Sequence, residues 1–283
     1  GSQGTLYGMN TEGGLIRMYS RNPFQYQGTD VKLSLGTRLL RKVELSHYQK
    51  LDDKRAFSLS AFYGGQNGFF RNQFDGTRAD LTNEFGGKGR FMWKASDRWM
   101  FDGIADYQYT HQNGFPYGQL VTKEEIASAP LTSPLYALKA GTQMPNQNRQ
   151  SYYRRNILNT GMGIKYAGNG FDVNSMTSWQ FLHDNMLMDI DYLPQDFLHL
   201  TQRQHGNTIT EELSVKSNRN GRWQWTFGAF GSYQWLKTMA PIYFDKDMNA
   251  ALSKKITDYA YNGMLNAMAR GMVPSFVARG MSE

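Results

Sequence analysis

The 283-residue chain contains no cysteine, which excludes disulfides and thiolate metal sites. It has no run of about 18 apolar residues, which excludes a membrane-spanning helix. Charged residues make up only 19% of the chain. The five histidines, His47, His111, His183, His199 and His205, never fall in a His-x-x-x-His or Glu-x-x-His spacing. They read as isolated polar histidines, so no cofactor or metal is expected. A Gly-Lys-Ser/Thr phosphate loop is missing, as is an ordered Ser/His/Asp set. Gly86-Gly87-Lys88-Gly89 lies inside a strand pattern and not at a strand-to-helix turn, so it is no dinucleotide fingerprint. Glu211 and Glu212 point to opposite faces of a strand and cannot act as a close catalytic pair. No enzyme is expected.

Glycine and aromatic residues are abundant, 29 glycines and 14% aromatics, a mix that suits an all-β protein with many turns. After Pro23 the chain alternates apolar and polar residues with a period of two. Nine strands are expected, over 29–37, 42–50, 55–63, 84–94, 98–111, 155–167, 171–183, 207–217 and 223–237. Residues 223–237 are the clearest case: Trp223, Trp225, Phe227, Ala229, Tyr233 and Trp235 alternate with Gln224, Thr226, Ser232 and Gln234. The connections alternate in length. Those at 51–54, 95–97, 168–170 and 218–221 are tight, whereas 64–83, about forty residues before Tyr153, and 184–205 are long. Only the first connection, near 36–41, is short out of turn. Thr122-Lys123-Glu124-Glu125 offers a capping box for one short helix. Leu252, Ile256, Tyr259, Ala260 and Leu265 have the spacing of an amphipathic helix.

Short turns at one end and long loops at the other are the pattern of outer-membrane β-barrels. The mean hydropathy of −0.60 fits such a wall, in which one strand face meets lipid and the other a polar lumen. Trp99 to Tyr109 and Trp225 to Trp235 each span ten residues on one face. At about 3.3 Å per residue and a tilt near 40° this is roughly 25 Å, the height of the apolar band. Trp93, Trp99, Tyr109, Trp223, Trp225 and Trp235 are therefore the candidate membrane girdle. Soluble sandwiches and lipocalin-like barrels share the alternation but use shorter strands.

The start of the chain is its most specific stretch. Gly1-Ser2-Gln3-Gly4-Thr5-Leu6-Tyr7-Gly8 is followed by Gly13-Gly14-Leu15-Ile16 and then Pro23. This resembles the end of the plug domain of TonB-dependent outer-membrane receptors, where a Gly-Pro-x-Gly-x-Leu-Tyr-Gly motif precedes a Gly-Gly-hydrophobic strand and the barrel. Gly4, Leu6, Tyr7, Gly8, Gly13 and Gly14 carry the match. Ser2 stands where proline is usual, Met9 where arginine is frequent and Arg17 where asparagine is common. The resemblance implies that residues 1–23 end a plug and that residues 24–283 begin a barrel. The expected fold is thus all-β: an incomplete antiparallel transmembrane β-barrel, about nine strands of a larger plugged one, with long extracellular loops and one or two short helices. The chain is expected to be a piece of a longer protein, with unpaired edges at its first and last strands.

The resemblance further implies a bacterial outer-membrane location and energised uptake of a scarce ligand, foremost a ferric siderophore, with vitamin B12, haem or an oligosaccharide left open. The TonB complex would act through a plug segment outside this chain. A net charge of +7 suits anionic iron chelates. Arg71, Tyr117, Tyr153 and Arg154, at loops or outer strand ends, are the candidate ligand contacts. The run from Arg149 to Arg155 reads as interfacial anchoring, with tyrosines at the lipid boundary and arginines toward lipopolysaccharide phosphates or an anionic ligand, and not as a nucleic-acid strip. Lys88 and Arg90, on the lumen side, would either line an electropositive interior or pair with plug carboxylates. Asp189 and Asp191 read as a solvated loop, with a calcium site as the second reading. The alternative function is a non-energised porin-like or surface-binding outer-membrane barrel.

Overall fold

In the computed structural model, residues 20–118, 122–128, 144–219 and 222–277 are described. The plug motif therefore lies outside the described residues. Ten β-strands form one antiparallel sheet: β1 Gly28–Gly36, β2 Leu40–Lys50, β3 Arg55–Gln66, β4 Thr82–Lys94, β5 Trp99–Asn113, β6 Tyr152–Ala167, β7 Phe171–Asp189, β8 Leu198–Ser217, β9 Thr226–Met239 and β10 Ile242–Phe244. Each strand up to β8 pairs with its neighbour in sequence, and β9 and β10 both pair with β8. They are one strand in two parts. Met239 faces Arg203 and Ile242 faces Leu200, so the register runs on unbroken. The interruption falls at Pro241, which has no N–H to give the ladder. Its carbonyl still accepts the Thr201 N–H at 3.1 Å.

The expected nine strands are thus present, with corrections at their ends. The loop expected over 184–205 is largely strand: β7 runs on to Asp189 and β8 starts at Leu198. The consecutive Met186, Leu187 and Met188, together with polar residues such as His183, Asn185 and His205, break the period-two alternation and disguised that extension. The early connection is a three-residue turn, Thr37–Leu39, with Arg38 and Leu39 in left-handed conformations (φ 59° and 54°) that reverse the chain tightly.

Helix α1, Lys123–Ser128, opens with the expected capping box: Glu125 N–H donates to Thr122 Oγ1 at 3.1 Å, and Thr122 N–H donates to Glu125 Oε2 at 2.8 Å. Helix α2, Lys246–Val277, has 32 residues, so the helices are not both short. Nor is it amphipathic. Leu252, Ile256 and Tyr259 share one side, whereas Tyr261, Met264, Leu265 and Met268 lie on another. No described helix is long and apolar enough to cross a membrane.

The sheet is a single layer. Among the described residues few apolar side chains are buried, Pro23, Ala56, Ala79, Met92 and Leu193 among them. The accessible surface is 19439 Å², against roughly 12,000 Å² for a compact protein of this mass. Along one ladder row, Arg41 stands about nine residues from the short-turn end of β2 and Arg203 about fourteen from that of β8. A stagger near one residue per strand is what tilts the strands of a barrel. Within the described residues the sheet does not close: β1 and the β9–β10 strand have free edges.

Candidate functional site

The ladder assigns every strand residue to one of two faces. One carries Val31, Leu33, Leu45, Leu59, Phe91, Trp93, Met162, Trp179, Ile209, Phe227 and Tyr233, all large, apolar and exposed. The other carries Glu44, Lys88, Arg90, Asp102, Asp106, Arg155 and Asp184. The first is the face of a wall turned to lipid, and the second lines a polar interior. At the short-turn end Trp93 stacks on Phe101 at 5.5 Å, Trp99 lies 4.6 Å from Tyr166, and Trp225 lies 5.4 Å from Phe227. Trp223 precedes β9 and is 85% exposed. At the long-loop end Tyr109 packs on Phe85 at 5.2 Å, and Trp235 lies on the same face.

Inside the wall, Arg90 is not a free cation. Its Nε and Nη2 donate to the two Asp102 oxygens at 2.8 and 2.7 Å, a bidentate pair with side chains 16% and 18% exposed. Lys88 Nζ donates to Ser20 Oγ at 2.7 Å, Arg90 Nη1 to the Arg21 carbonyl at 3.4 Å, and the Lys94 ammonium lies 4.3 Å above the Phe24 ring. The segment entering β1 is therefore docked on the polar face of β4, where Arg90 is neutralised by Asp102.

The long connections meet at the other end in a hydrogen-bonded platform. Asn72, from the β3–β4 loop, is 3% exposed: its Nδ2 donates to the Gln147 carbonyl at 2.7 Å and its Oδ1 accepts the Gln147 N–H at 2.9 Å. Gln147 Nε2 in turn donates to the Phe115 and Tyr117 carbonyls at 2.8 and 3.1 Å. Ser151 Oγ bridges Gln147 Oε1 and the Asp189 N–H. Asp189 is 1% exposed and accepts the Arg149 and Tyr192 N–H groups at 3.3 and 3.2 Å. Burial and the neighbouring Asp191 push its carboxyl up to about 7. Asp191 caps the β7–β8 turn by accepting the Leu193, Phe197 and Leu198 N–H groups. The pair is therefore built into the fold and is not a solvated loop. No group of three metal-ligating side chains occurs among the described residues. Arg149 spans Asp196 and Asp245 at 3.0 and 3.3 Å, and Asp245 also holds His199 at 2.6 Å, which ties the start of α2 to the same platform.

The candidate contacts do not converge on one point. Arg71 is exposed in the β3–β4 loop, where its Nη1 donates to the Gly76 carbonyl. Tyr117 is 55% exposed and makes an edge contact with Tyr192 at 5.5 Å. Tyr153 faces inward and donates to Asp184 Oδ2 at 3.0 Å. Arg154, one residue on, faces outward and lies 4.7 Å over the Tyr152 ring. Sequence reasoning passed over Asn72, Gln147, Ser151 and Asp184. Each is polar and buried, and nothing in a local pattern marks a loop residue as buried. It also passed over Phe69, Phe70 and Phe74, three exposed phenylalanines in a wet loop, which the sequence does display.

A single-layered, staggered sheet with an apolar outer face, a polar inner face, short turns at one end and a loop platform at the other is a segment of outer-membrane β-barrel wall. No family model matches the sequence. Among solved structures, the chain is similar in fold to the ferric yersiniabactin uptake receptor FyuA from Yersinia pestis (TM-score 0.65, 19% identity), covering 86% of this chain and 36% of that one. The ferric-catecholate import receptor Fiu from E. coli K12 (TM-score 0.62, 14% identity) covers 83% of this chain and 38% of its own. The siderophore receptor PiuA from Acinetobacter baumannii (TM-score 0.60, 10% identity) covers 87% and 37%. The chain spans a little over a third of the length of these receptors. The expected fold thus holds: an incomplete antiparallel β-barrel, similar to part of the fold of these receptors.

Proposed function

We propose that this chain is part of an outer-membrane receptor that takes up a scarce ligand, foremost a ferric siderophore, with energy drawn from the TonB complex. Residues 1–23 would end its plug and 24–283 begin its barrel. The observation that carries the reading is the wall itself, whose fold is that of three siderophore receptors. The loop platform supports it. Asn72, Gln147 and Asp189 fix the loops from within, so Phe69, Phe70, Phe74, Tyr117 and Arg71 stand exposed on a rigid base. Aromatic faces and guanidinium groups suit an anionic, ring-bearing chelate, and the net charge of +7 would steer it.

The test uses the full-length receptor in an iron-starved bacterium lacking its own siderophore receptors. Radio-iron uptake is measured with hydroxamate, catecholate and mixed chelates, with and without a functional TonB. Accumulation from at least one chelate that vanishes without TonB is the expected result. Passage of small solutes regardless of TonB would instead make the protein a porin-like barrel and sink the proposal.

A further inference from the structure

Between its two aromatic levels the outward face of the wall is uneven. On β3, β4, β5 and β9 it carries only apolar, aromatic and glycine residues there. On β6, β7 and β8 it also carries Thr160, Ser175, Thr177 and Glu211, which the register places on the same face as Met162, Trp179 and Ile209. Among the described residues of β3–β9, Glu211 is the one charged residue in this band of the outward face. It pairs with Gly231, which lies between Trp225 and Trp235 in the chain, so it stands near the middle of the band.

Three observations show that this is a built patch. First, Glu211 is held in place: its Oε1 accepts the Ser175 hydroxyl at 2.7 Å and its Oε2 the Thr177 hydroxyl at 2.5 Å. Each carboxylate oxygen can accept a second hydrogen bond. Glu211 forms no ion pair among the described residues. Second, the space beside it is open, since a Cβ on Gly231 would meet no atom within 4 Å. Third, the strand tilt brings a donor to the same level. Thr160, Thr177 and Glu211 stand about six or seven residues from the short-turn ends of β6, β7 and β8, although Thr160 is not in the Glu211 ladder row. The Thr160 hydroxyl makes no hydrogen bond among the described residues.

A carboxylate on a lipid-facing surface is disfavoured, and intramembrane acids are found paired or turned toward a partner. Association inside a membrane gains nothing from the hydrophobic effect and depends on close packing and hydrogen bonds between polar side chains. We propose that the outward face of β6–β8, centred on Thr177, is an interface with a second copy of this chain, across a two-fold axis along the membrane normal. The inference rests on the outer-membrane reading and is independent of the ligand. Level and chemistry select the second copy. Two receptors inserted in the same sense meet level for level. An axis over Thr177 sets Thr160 of each copy opposite Glu211 of the other, so a free hydroxyl donor meets a carboxylate acceptor twice, as an isologous contact requires. The described wall offers no cation in this band, so the contact is hydrogen-bonded. Met162, Trp179, Ile209 and Leu213, all exposed, ring the polar line and supply the packing around it.

The experiment takes the full-length receptor, in a background without other cysteines. Thr177→Cys is oxidised in native outer membranes, with Leu59→Cys on β3 as the control. A disulfide-linked dimer at the first position and none at the second is the expected result. Light scattering of the parent in mild detergent should give a dimer. Glu211→Leu with Thr160→Val should raise its dissociation constant at least tenfold, whereas Glu211→Gln, which still accepts hydrogen bonds, should raise it less. Heat-modifiable gel migration checks that each variant is folded. A parent that is monomeric in both membrane and detergent, a folded double variant with an unchanged dimer, or cross-linking of Thr177→Cys only to a different protein would each overturn the interface. Membrane fractionation separates the two failures. A receptor absent from the outer membrane would sink the reading beneath the proposal; one that is inserted but monomeric would sink this inference alone.

Discussion

A carboxyl group closed off from water keeps its proton, and Asp189 sits where three loops depend on it. Its value near 7, against an ordinary carboxyl near 3.8, arises from burial and from Asp191 beside it. Because the folded value is the higher one, the proton is held more tightly when the platform is closed. The stabilisation is fully present below about pH 4 and is lost as pH rises through 7. Hydrogen exchange of the backbone amides over 190–198 in the full-length receptor should therefore quicken between pH 6 and 8, after correction for intrinsic rates. Asp189→Asn, which removes the charge but can accept only one of the Arg149 and Tyr192 N–H groups, should flatten that dependence. An unaltered pH profile in the variant would remove Asp189 as the cause. A second residue-scale expectation concerns Asn72, whose side chain both donates to and accepts from the Gln147 backbone. Asn72→Ala strands both Gln147 groups, at a cost of about 1–3 kcal/mol to the platform. Limited proteolysis should cut the β3–β4 loop and residues near 147 first in the variant and spare them in the parent.

At the scale of elements, much was legible because a strand between lipid and lumen has to alternate. Val31, Leu33 and Leu35, or Phe227 to Trp235, cannot face two solvents in any other way, and the tight turns at 51–54 and 168–170 mark themselves with Asp and Gly. What was not legible follows from the same physics. Above the membrane no face is required to stay apolar, so β7 beyond His183, with Met186, Leu187 and Met188 in a row, and β8 before His205 lost the alternation. Arg90 and Asp102 are twelve residues apart and become partners only through the β4–β5 register, where Met92 faces Asp102 and Arg90 faces Ile104. That pair gives a prediction about the wall. Arg90→Met leaves the Asp102 carboxylate largely buried without its guanidinium and should cost about 3–5 kcal/mol, whereas Arg90→Met with Asp102→Leu should restore most of it. Urea unfolding of the refolded full-length barrel reads both. Equal losses in the single and double variants would mean that the pair does not hold β4 to β5.

For the whole molecule the decisive feature is that a wall has been described and not a closed barrel. In every ladder from β1–β2 to β8–β10 the backbone groups are paired, but among the described residues the outer edges of β1 and of β9–β10 have no strand beside them, which leaves rows of N–H and C=O groups without a ladder partner. In lipid each such group costs several kcal/mol, which is why spanning sheets close. In water the same edges template further strands. The outer face, with Leu33, Phe91, Trp93, Phe227 and Tyr233 exposed, adds an apolar surface too large for a soluble monomer. The 283 residues refolded alone in detergent micelles should therefore form heterogeneous β-rich oligomers, whatever the quality of their local sequence. Supplying the further strands of the proposed receptor in trans, as a separate polypeptide, should convert part of that material into a compact, heat-modifiable species. Light scattering and gel migration distinguish the two. A stable monomer of the chain by itself would mean that the edges find each other, so that the wall closes as a small barrel, and the large plugged barrel would then be the wrong frame for its function.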